Sequence, residues 1–246
     1  MDFLGKLKIK WSEGKFVCVG LDQGAFEFDK KIVDQTSDLI CAYKPNAAFY
    51  SEADLQKTVS YIQTTHPDTP IILDAKRGDI GNSNEAYVKA IFGDLGVDAV
   101  TLHPYLGKES LQPFLDKKDK GIIILVKTSN PGAGEFQDLK IGEKPLYQIV
   151  AENIAKNWNQ NGNLGVVVGA TYPDELKKVR EIVGDIPILI PGIGAQGGDV
   201  EATVQAGQDS HGQGMIISSS RGIIFALNPR EATLKLNQEI VDSLSK

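Results

Sequence analysis

Four charged residues occupy six consecutive positions of the segment LDAKRGDIGN, directly after an apolar run: Asp74, Lys76, Arg77 and Asp79. An ammonium group between carboxylates stays protonated, because neighbouring negative charge raises its pKa. A protonated lysine beside an acid suits the delivery of a proton to a carbanion as it forms. The segment therefore predicts a proton-transfer site around Lys76. On these ten residues alone, a purely structural ion pair between Asp74 and Lys76 is an equally open interpretation.

Two further charges follow neighbouring apolar runs. Asp22 ends the run FVCVGLD, and Lys44 lies near the end of LICAYKPN. Each alone would be an ordinary charge at the end of a strand. Together with Asp74, Lys76 and Asp79 they form an alternating array of acids and bases, which favours one shared pocket over three unrelated surface positions.

A glycine-rich segment and an arginine form a second candidate site. PGIGAQGGD spans 191–199, and SSSRG spans 218–222. Glycines allow a ligand to approach the backbone closely, and a guanidinium binds phosphate through paired hydrogen bonds. We predict that Arg221 binds a phosphate group here. The alternative is that the glycines only form turns.

The remaining polar candidates give weaker signals. Ser129 has no obvious base beside it, so a polar contact to a ligand fits it better than nucleophilic attack. We expect His103 to be hydrogen-bonded within the fold. No cluster of His, Cys, Asp or Glu has convincing metal-ligand spacing, so we expect no metal site.

The elements that must position these residues alternate regularly along the chain. Eight short runs rich in Val, Ile and Leu, as in strands buried on both faces of a parallel sheet, are separated by amphipathic helical segments. Eight such units in a chain of 246 residues predict an α/β fold, a (β/α)8 TIM barrel forming a single domain over 1–246. Residues 1–14 are predicted to be an N-terminal helical extension. An open doubly wound sheet is the alternative.

The barrel prediction gives the charged residues a common location. Active sites of such barrels lie at the carboxyl ends of the strands, and phosphate often binds after strands seven and eight. Asp22, Lys44, Asp74 and Arg221 all come at predicted strand ends. Because side chains of a strand alternate between its faces, Asp74 and Lys76 should share one face.

Composition narrows the class of protein. There are 32 acidic and 26 basic residues, a net charge of -6, which argues against a nucleic-acid partner. We find no signal-peptide pattern and no apolar stretch approaching the roughly 20 residues of a membrane helix. Two cysteines do not form a disulfide framework. We expect a cytoplasmic protein with no membrane partner.

Six blocks of the sequence resemble a known family. VGLD, AYKPN, LDAKRGDIGNS, KTSNPGAGEFQ, IPGIGAQGGD and SSSRGI occur in the order found in orotidine 5'-phosphate decarboxylases, above all in the bacterial branch with the DAKRGDIG motif. The resemblance extends from about Val19 to Arg221. Ser83 stands where the family often has threonine, and the stretch AGQDSHGQG (206–214) has no counterpart that we recognise.

The resemblance implies a role for each catalytic candidate. Lys76 would donate a proton to C6 of the pyrimidine, and Asp74 would face the substrate carboxylate. Lys44 would belong to the same charged array. Asp79 would reach into the active site of a partner subunit, so the family pattern implies a homodimer with shared active sites.

The resemblance also implies the substrate contacts. Asp22 and Lys44 would hold the ribose hydroxyls, and Ser129 would contact the pyrimidine ring. The substrate-binding set further comprises residues that cross the dimer interface and residues around the phosphate: Ile80, Ser83, Pro191, Gln196, Ser220 and Arg221. Of these, Gln196 would belong to a lid over the phosphate.

The implied reaction is the decarboxylation of orotidine 5'-monophosphate to UMP in pyrimidine biosynthesis, without a cofactor. Two other functions stay open at this point. One is a metal-dependent decarboxylase or aldol-type synthase acting on a sugar phosphate, since the Asp-x-Lys-x-x-Asp pattern is shared within the superfamily. The other is a non-catalytic barrel that binds a phosphate or nucleotide.

Overall fold

The computed structural model describes residues 1–193 and 198–244. Its centre is a sheet of eight parallel strands: β1 (Val17–Leu21), β2 (Ala42–Pro45), β3 (Ile72–Arg77), β4 (Ala99–Leu102), β5 (Gly121–Lys127), β6 (Leu164–Val168), β7 (Ile188–Pro191) and β8 (Met215–Ser219). Neighbouring strands pair in parallel, and β1 also pairs with β8. Isolated bridges between Tyr43 and Ile71 and between Asn46 and Asp74 join β2 to β3. The predicted TIM barrel is therefore confirmed.

Helices alternate with the strands. They are α1 (Phe3–Ser12), α2 (Phe26–Thr36), α3 (Glu52–Thr65), α4 (Gly81–Val88), α5 (Gly107–Leu115), α6 (Gly134–Gln137), α7 (Leu146–Asn153), α8 (Pro173–Val183), α9 (Val200–Gly207), α10 (Arg221–Ile224) and α11 (Pro229–Leu244). Helices α4 and α7 continue into π-helical turns, Lys89–Asp94 and Ile154–Trp158. Within the described residues, no helix is long and apolar enough to span a membrane.

The core explains why the strands were recognisable as apolar runs. Every residue of β1, β4, β6 and β8 is buried, because one face lines the barrel interior and the other packs on the helices. The helices contribute apolar stripes. In α8, for example, Leu176, Val179 and Val183 are buried at helical spacing, and the intervening residues apart from Ile182 are charged.

Helix α1 lies against the amino ends of the strands. It buries Phe3, Leu7 and Trp11 at intervals of one helical turn, and the Trp11 indole donates a hydrogen bond of 2.8 Å to the carbonyl of Met215 at the start of β8. A side chain at Gly121, the first residue of β5, would meet the Phe3 ring. The helix therefore packs on the end of the barrel opposite the predicted site.

The unfamiliar segment 206–214 also belongs to that opposite end. It connects α9 to the amino end of β8. The Arg180 guanidinium donates hydrogen bonds to the carbonyls of Gly207 and Gly214, at 2.7 to 2.9 Å. The departure from the family pattern thus lies away from the carboxyl ends of the strands.

Candidate active site

Two lysines bind one carboxylate at the carboxyl ends of β2 and β3. The ammonium group of Lys44 lies 2.9 Å from Oδ2 of Asp74, and that of Lys76 lies 2.5 Å from Oδ1 of the same residue. The side chains of Lys44 and Asp74 are nearly buried, at 8% and 11% exposure, whereas Lys76 is 50% exposed. One lysine is thus held inside the barrel, and the other reaches the solvent-accessible mouth.

The charges of this cluster stabilise one another. Burial alone would lower the pKa of Lys44, but the carboxylates of Asp74 and Asp22 outweigh burial and raise it. Burial alone would raise the pKa of Asp74, but Lys44 and Lys76 hold it well below its usual range. Lys44 and Asp74 are therefore both charged at neutral pH, as the alternating array predicted.

The backbone brings Asp74 and Lys76 together by a different route from the predicted strand alternation. Lys76 has φ 46°, in the left-handed region, and the pairing of β3 with β4 shifts register between Leu73 and Arg77. The strand is therefore bulged at the site, so Lys76 does not follow the regular alternation, although the two side chains meet as expected. The two side chains converge because the bulge redirects the lysine.

Thr101 is a site residue that the sequence did not reveal. It lies on β4, is almost completely buried, and its hydroxyl donates a hydrogen bond of 2.9 Å to Oδ1 of Asp74. In the sequence it stands inside the apolar run AVTLHPY, where a threonine looks like an ordinary strand residue. Only the pairing of β3 with β4 places it beside the charged array.

Asp22 lies at the same mouth without joining the ion-pair cluster. It follows β1, and its Oδ1 atom is buried with no hydrogen-bond partner among the described residues. Its carboxylate is close enough to raise the pKa of Lys44. A buried, unpaired oxygen is costly unless something binds it, so this atom is a candidate ligand contact.

Within one chain, no described ion pair links Asp79 to the array, and Ile80 and Ser83 lie at the start of α4. The carboxylate of Asp79 accepts a hydrogen bond of 2.7 Å from the Ile80 amide. The Asn84 side chain holds the Asp79 backbone, because its oxygen accepts from the Asp79 amide and its nitrogen donates to the Asp79 carbonyl. The described ion pairs of both array lysines go to Asp74. Ile80 is 65% exposed, directly before helix α4, and Ser83 is half-buried in its first turn.

Arg77 and His103 make contacts outside the charged array. The guanidinium of Arg77 lies over the ring of Tyr87, 5.2 Å from its centre. His103 is hydrogen-bonded through Nε2 to the carbonyl of Gly78 at 3.0 Å, as expected. Neither side chain contacts the lysines of the array in a described hydrogen bond.

Ser129 follows β5, and the two residues directly before it are bonded to a later part of the chain. The Gln137 side chain bonds both the amide and the hydroxyl of Thr128, at 2.9 and 2.8 Å. The fully buried Lys127 ammonium lies 2.5 Å from Asp138. The segment after β5 therefore folds back onto the strand end and fixes the half-buried Ser129 next to Gly169, the residue after β6.

The predicted phosphate-binding residues lie at the ends of β7 and β8. Pro191 ends β7 and pairs in register with Ser218 of β8. Ser220 follows β8, and its hydroxyl is buried with no partner among the described residues. Arg221 is exposed at the start of α10. Gln196 lies outside the described residues.

Two glycines allow this region to close tightly. A Cβ on Gly20 would lie 2.8 Å from the Cβ of Ser220. The end of β1 can therefore approach Ser220 this closely only because residue 20 has no side chain. Gly192, with φ 102°, makes a turn that a residue with a side chain rarely adopts. The carbonyl of Gly192 accepts a hydrogen bond from the Gly198 amide, which joins the two described ends of the loop.

The described residues contain no group of three or more His, Cys, Asp or Glu side chains placed to hold a metal ion. What they bring together is a carboxylate between two ammonium groups, with unpaired oxygens of Asp22 and Ser220 at the same mouth. Such a site can bind a polar ligand and deliver a proton to it.

Comparisons with known proteins all point to one family. The profile of the orotidine 5'-phosphate decarboxylase / HUMPS family matches residues 15–236. An orotidine 5'-phosphate decarboxylase from Cupriavidus metallidurans is 48% identical, over 95% of this chain and 93% of that protein. One from Cellvibrio japonicus is 44% identical, over 98% of each. The solved structure of Leishmania donovani OMP decarboxylase superposes with a TM-score of 0.93 at 38% identity, over 100% of both chains.

Proposed function

Because this chain belongs to the orotidine 5'-phosphate decarboxylase family, we propose that it converts orotidine 5'-monophosphate to UMP and CO2 in pyrimidine biosynthesis. The observation that carries the proposal is the Asp74 carboxylate bound by both Lys44 and Lys76 at the barrel mouth. A barrel that only bound a nucleotide would have no need of an exposed, carboxylate-bound proton donor.

In the proposed reaction the bond between C6 and the carboxylate breaks, CO2 leaves, and the electron pair stays on C6. The ammonium of Lys76 then donates a proton to C6, which gives UMP. Lys76 suits this role because it is the half-exposed member of the array, whereas Lys44 is nearly buried. The reaction needs no electron-accepting cofactor if the site itself stabilises the charge on C6.

That stabilisation comes from charges that are already in place. Both oxygens of Asp74 are bound by lysines, so the ammonium groups do not need to reorient when negative charge develops on C6. Prearranged charges act more strongly in a partly buried site than in water. Asp74 would lie beside the substrate carboxylate.

The rest of the substrate binds around the other strand ends. We assign the ribose hydroxyls to Asp22 and Lys44, the pyrimidine ring to Ser129, and the phosphate to Arg221 with Pro191, Gln196 and Ser220. Support comes from the buried, unpaired oxygens of Asp22 and Ser220. Phosphate binding is remote from C6, so its binding energy can be used to organise the transition state.

We further propose a homodimer in which Asp79, Ile80 and Ser83 reach the partner subunit's active site. The support is that no described ion pair joins Asp79 to the lysines of its own chain's array, and that Ile80 is a large apolar side chain left 65% exposed. We place the enzyme in the cytoplasm. Its net charge of -6 favours a small-molecule substrate over a nucleic-acid partner.

One assay tests the proposed function. Purified protein is mixed with orotidine 5'-monophosphate in excess EDTA, and the ultraviolet absorbance of the pyrimidine is followed. Rapid conversion to UMP without added metal is the expected result. No turnover, or turnover only after magnesium is added, would contradict the proposal and favour a non-catalytic barrel or a metal-dependent enzyme respectively.

A further inference from the structure

The backbone of Lys76 is held in an unusual conformation. Its φ of 46° lies in the left-handed region, and among the described residues no other residue except glycine has a positive φ. A side chain with a Cβ rarely adopts this region unless surrounding contacts impose it, and such residues cluster at functional sites. The contacts that impose it on Lys76 therefore bear on its function.

The conformation belongs to a bulge between β3 and β4. Leu73 pairs with Val100, and the next pair is Arg77 with Leu102. Three residues of β3, Asp74 to Lys76, are thus opposed by Thr101 alone. In such a bulge the extra residues lose their regular backbone partners, so their amides need other acceptors.

The Thr101 hydroxyl supplies that acceptor. It accepts hydrogen bonds from the amides of Ala75 at 3.1 Å and Lys76 at 3.0 Å, and it donates one of 2.9 Å to Oδ1 of Asp74. A hydroxyl has one hydrogen to donate and two lone pairs to accept, so these three hydrogen bonds use its full capacity. Thr101 is 1% exposed, so solvent does not compete for these bonds.

We propose that Thr101 is a positioning residue for proton transfer. It fixes the bulge that presents Lys76, and it fixes the Asp74 carboxylate to which the lysine is bound. This inference rests on the proposed function, because the exact position of the ammonium matters only if C6 of the substrate lies beside it.

Loss of the hydroxyl should change catalysis more than binding. Without it, the amides of Ala75 and Lys76 lose their buried acceptor, so the bulge relaxes and moves the ammonium. When a catalytic group is displaced by about 1 Å, the reaction rate falls roughly 100-fold. The proposed phosphate and ribose contacts come mainly from other strands, so the affinity for UMP should change little.

The experiment compares three variants with the unaltered protein. Thr101→Val keeps the shape and removes the hydroxyl, and Thr101→Ser keeps the hydroxyl. Thr233→Val is the control, because Thr233 is an equally buried threonine that bonds the Pro229 carbonyl on the distant helix α11. The readouts are kcat and KM for orotidine 5'-monophosphate and the Kd of UMP. Thr101→Ala is measured alongside, in case the valine variant does not fold.

We expect Thr101→Val to lower kcat by roughly 30- to 100-fold, with KM and the UMP Kd within about threefold. Thr101→Ser should stay within about threefold of normal kcat, and Thr233→Val should be normal. The inference is overturned if removing the Thr101 hydroxyl leaves kcat within threefold, or if the serine variant is as slow as the valine variant. If the unaltered protein itself has no activity, the proposed function fails first.

Discussion

The two halves of the barrel mouth differ in how their polar atoms are satisfied. In the proposed catalytic half, formed by Lys44, Asp74, Lys76 and Thr101, both oxygens of the Asp74 carboxylate accept hydrogen bonds from side chains of the same chain. In the proposed binding half, formed by Asp22, Ser220 and Arg221, two buried oxygens have no partner among the described residues, and the arginine is exposed. The carboxylate of the first half is thus paired before a ligand binds, whereas the second half has polar atoms free to contact a ligand.

This difference suits the two halves to different roles. Charges that must act on the reacting carbon gain from being fixed before substrate arrives, because no reorganisation is then needed in the transition state. Groups that bind the substrate gain from unpaired hydrogen-bonding capacity, since a buried unpaired oxygen recovers a bond when the ligand supplies one. Changes in the catalytic half should therefore lower kcat, and changes in the binding half should also weaken binding.

The largest effect is expected for Lys76→Ala. It removes the proposed proton donor but leaves the binding half intact, so kcat should fall at least about 1000-fold while a UMP analogue still binds. Steady-state kinetics and calorimetry measure the two quantities. A near-normal kcat would remove Lys76 from the mechanism.

Hybrid dimers test whether the catalytic half is completed by a second chain. Asp79→Ala and Lys76→Ala proteins should each be nearly inactive. After subunit exchange, half of the dimers are hybrids with one intact site of two, so about a quarter of normal activity should return. Mass spectrometry of the mixture verifies the exchange. Verified exchange without recovery would contradict a shared site.

In the binding half, Arg221→Ala should raise KM by roughly 10- to 100-fold, which corresponds to one lost charge-assisted contact. Ser220→Ala should raise KM about tenfold or less. Kinetics carried to saturating substrate separate KM from kcat. Excess inorganic phosphate should inhibit the unaltered enzyme more than it inhibits Arg221→Ala. Equal inhibition of the two would argue against phosphate binding by Arg221.

The smallest effect concerns a buried acid behind the binding half. Asp29 on α2 receives hydrogen bonds from Tyr50 at 2.6 Å and Thr58 at 3.1 Å. Burial raises its pKa to about 6, against these hydrogen bonds. An acid whose pKa is raised on folding favours the folded state below its unfolded pKa of about 4, and this contribution is lost as the pH rises through about 6.

Asp29→Asn removes that titration. As the pH rises from 4 to 7, the variant should gain thermal stability relative to the unaltered protein. For each kcal/mol of unfolding free energy that the unaltered protein loses over this range, the difference in Tm should grow by roughly 2 to 4 °C. Thermal denaturation across this pH range measures it, with the exposed Glu143→Gln as a control. A difference in Tm that does not change with pH would contradict the raised pKa.

Much of the fold and part of the site follow from the sequence. The eight strands were predictable because burial on both faces leaves continuous apolar runs, and Asp22, Lys44 and Asp74 could be placed together because barrel strands present their carboxyl ends at one face. The conformation of Lys76 could not be predicted, since a bulge depends on the register between β3 and β4. Thr101 was missed for the same reason, because its partners lie 25 to 27 positions away.

The most direct test of the proposed proton donor uses the reverse of the protonation step. In D2O, the enzyme that protonates C6 should also exchange the C6 hydrogen of UMP for deuterium, and NMR measures that exchange. We predict measurable exchange with the unaltered protein and none above background with Lys76→Ala, at UMP concentrations that saturate both. Equal exchange rates for the two proteins would show that Lys76 does not carry the proton.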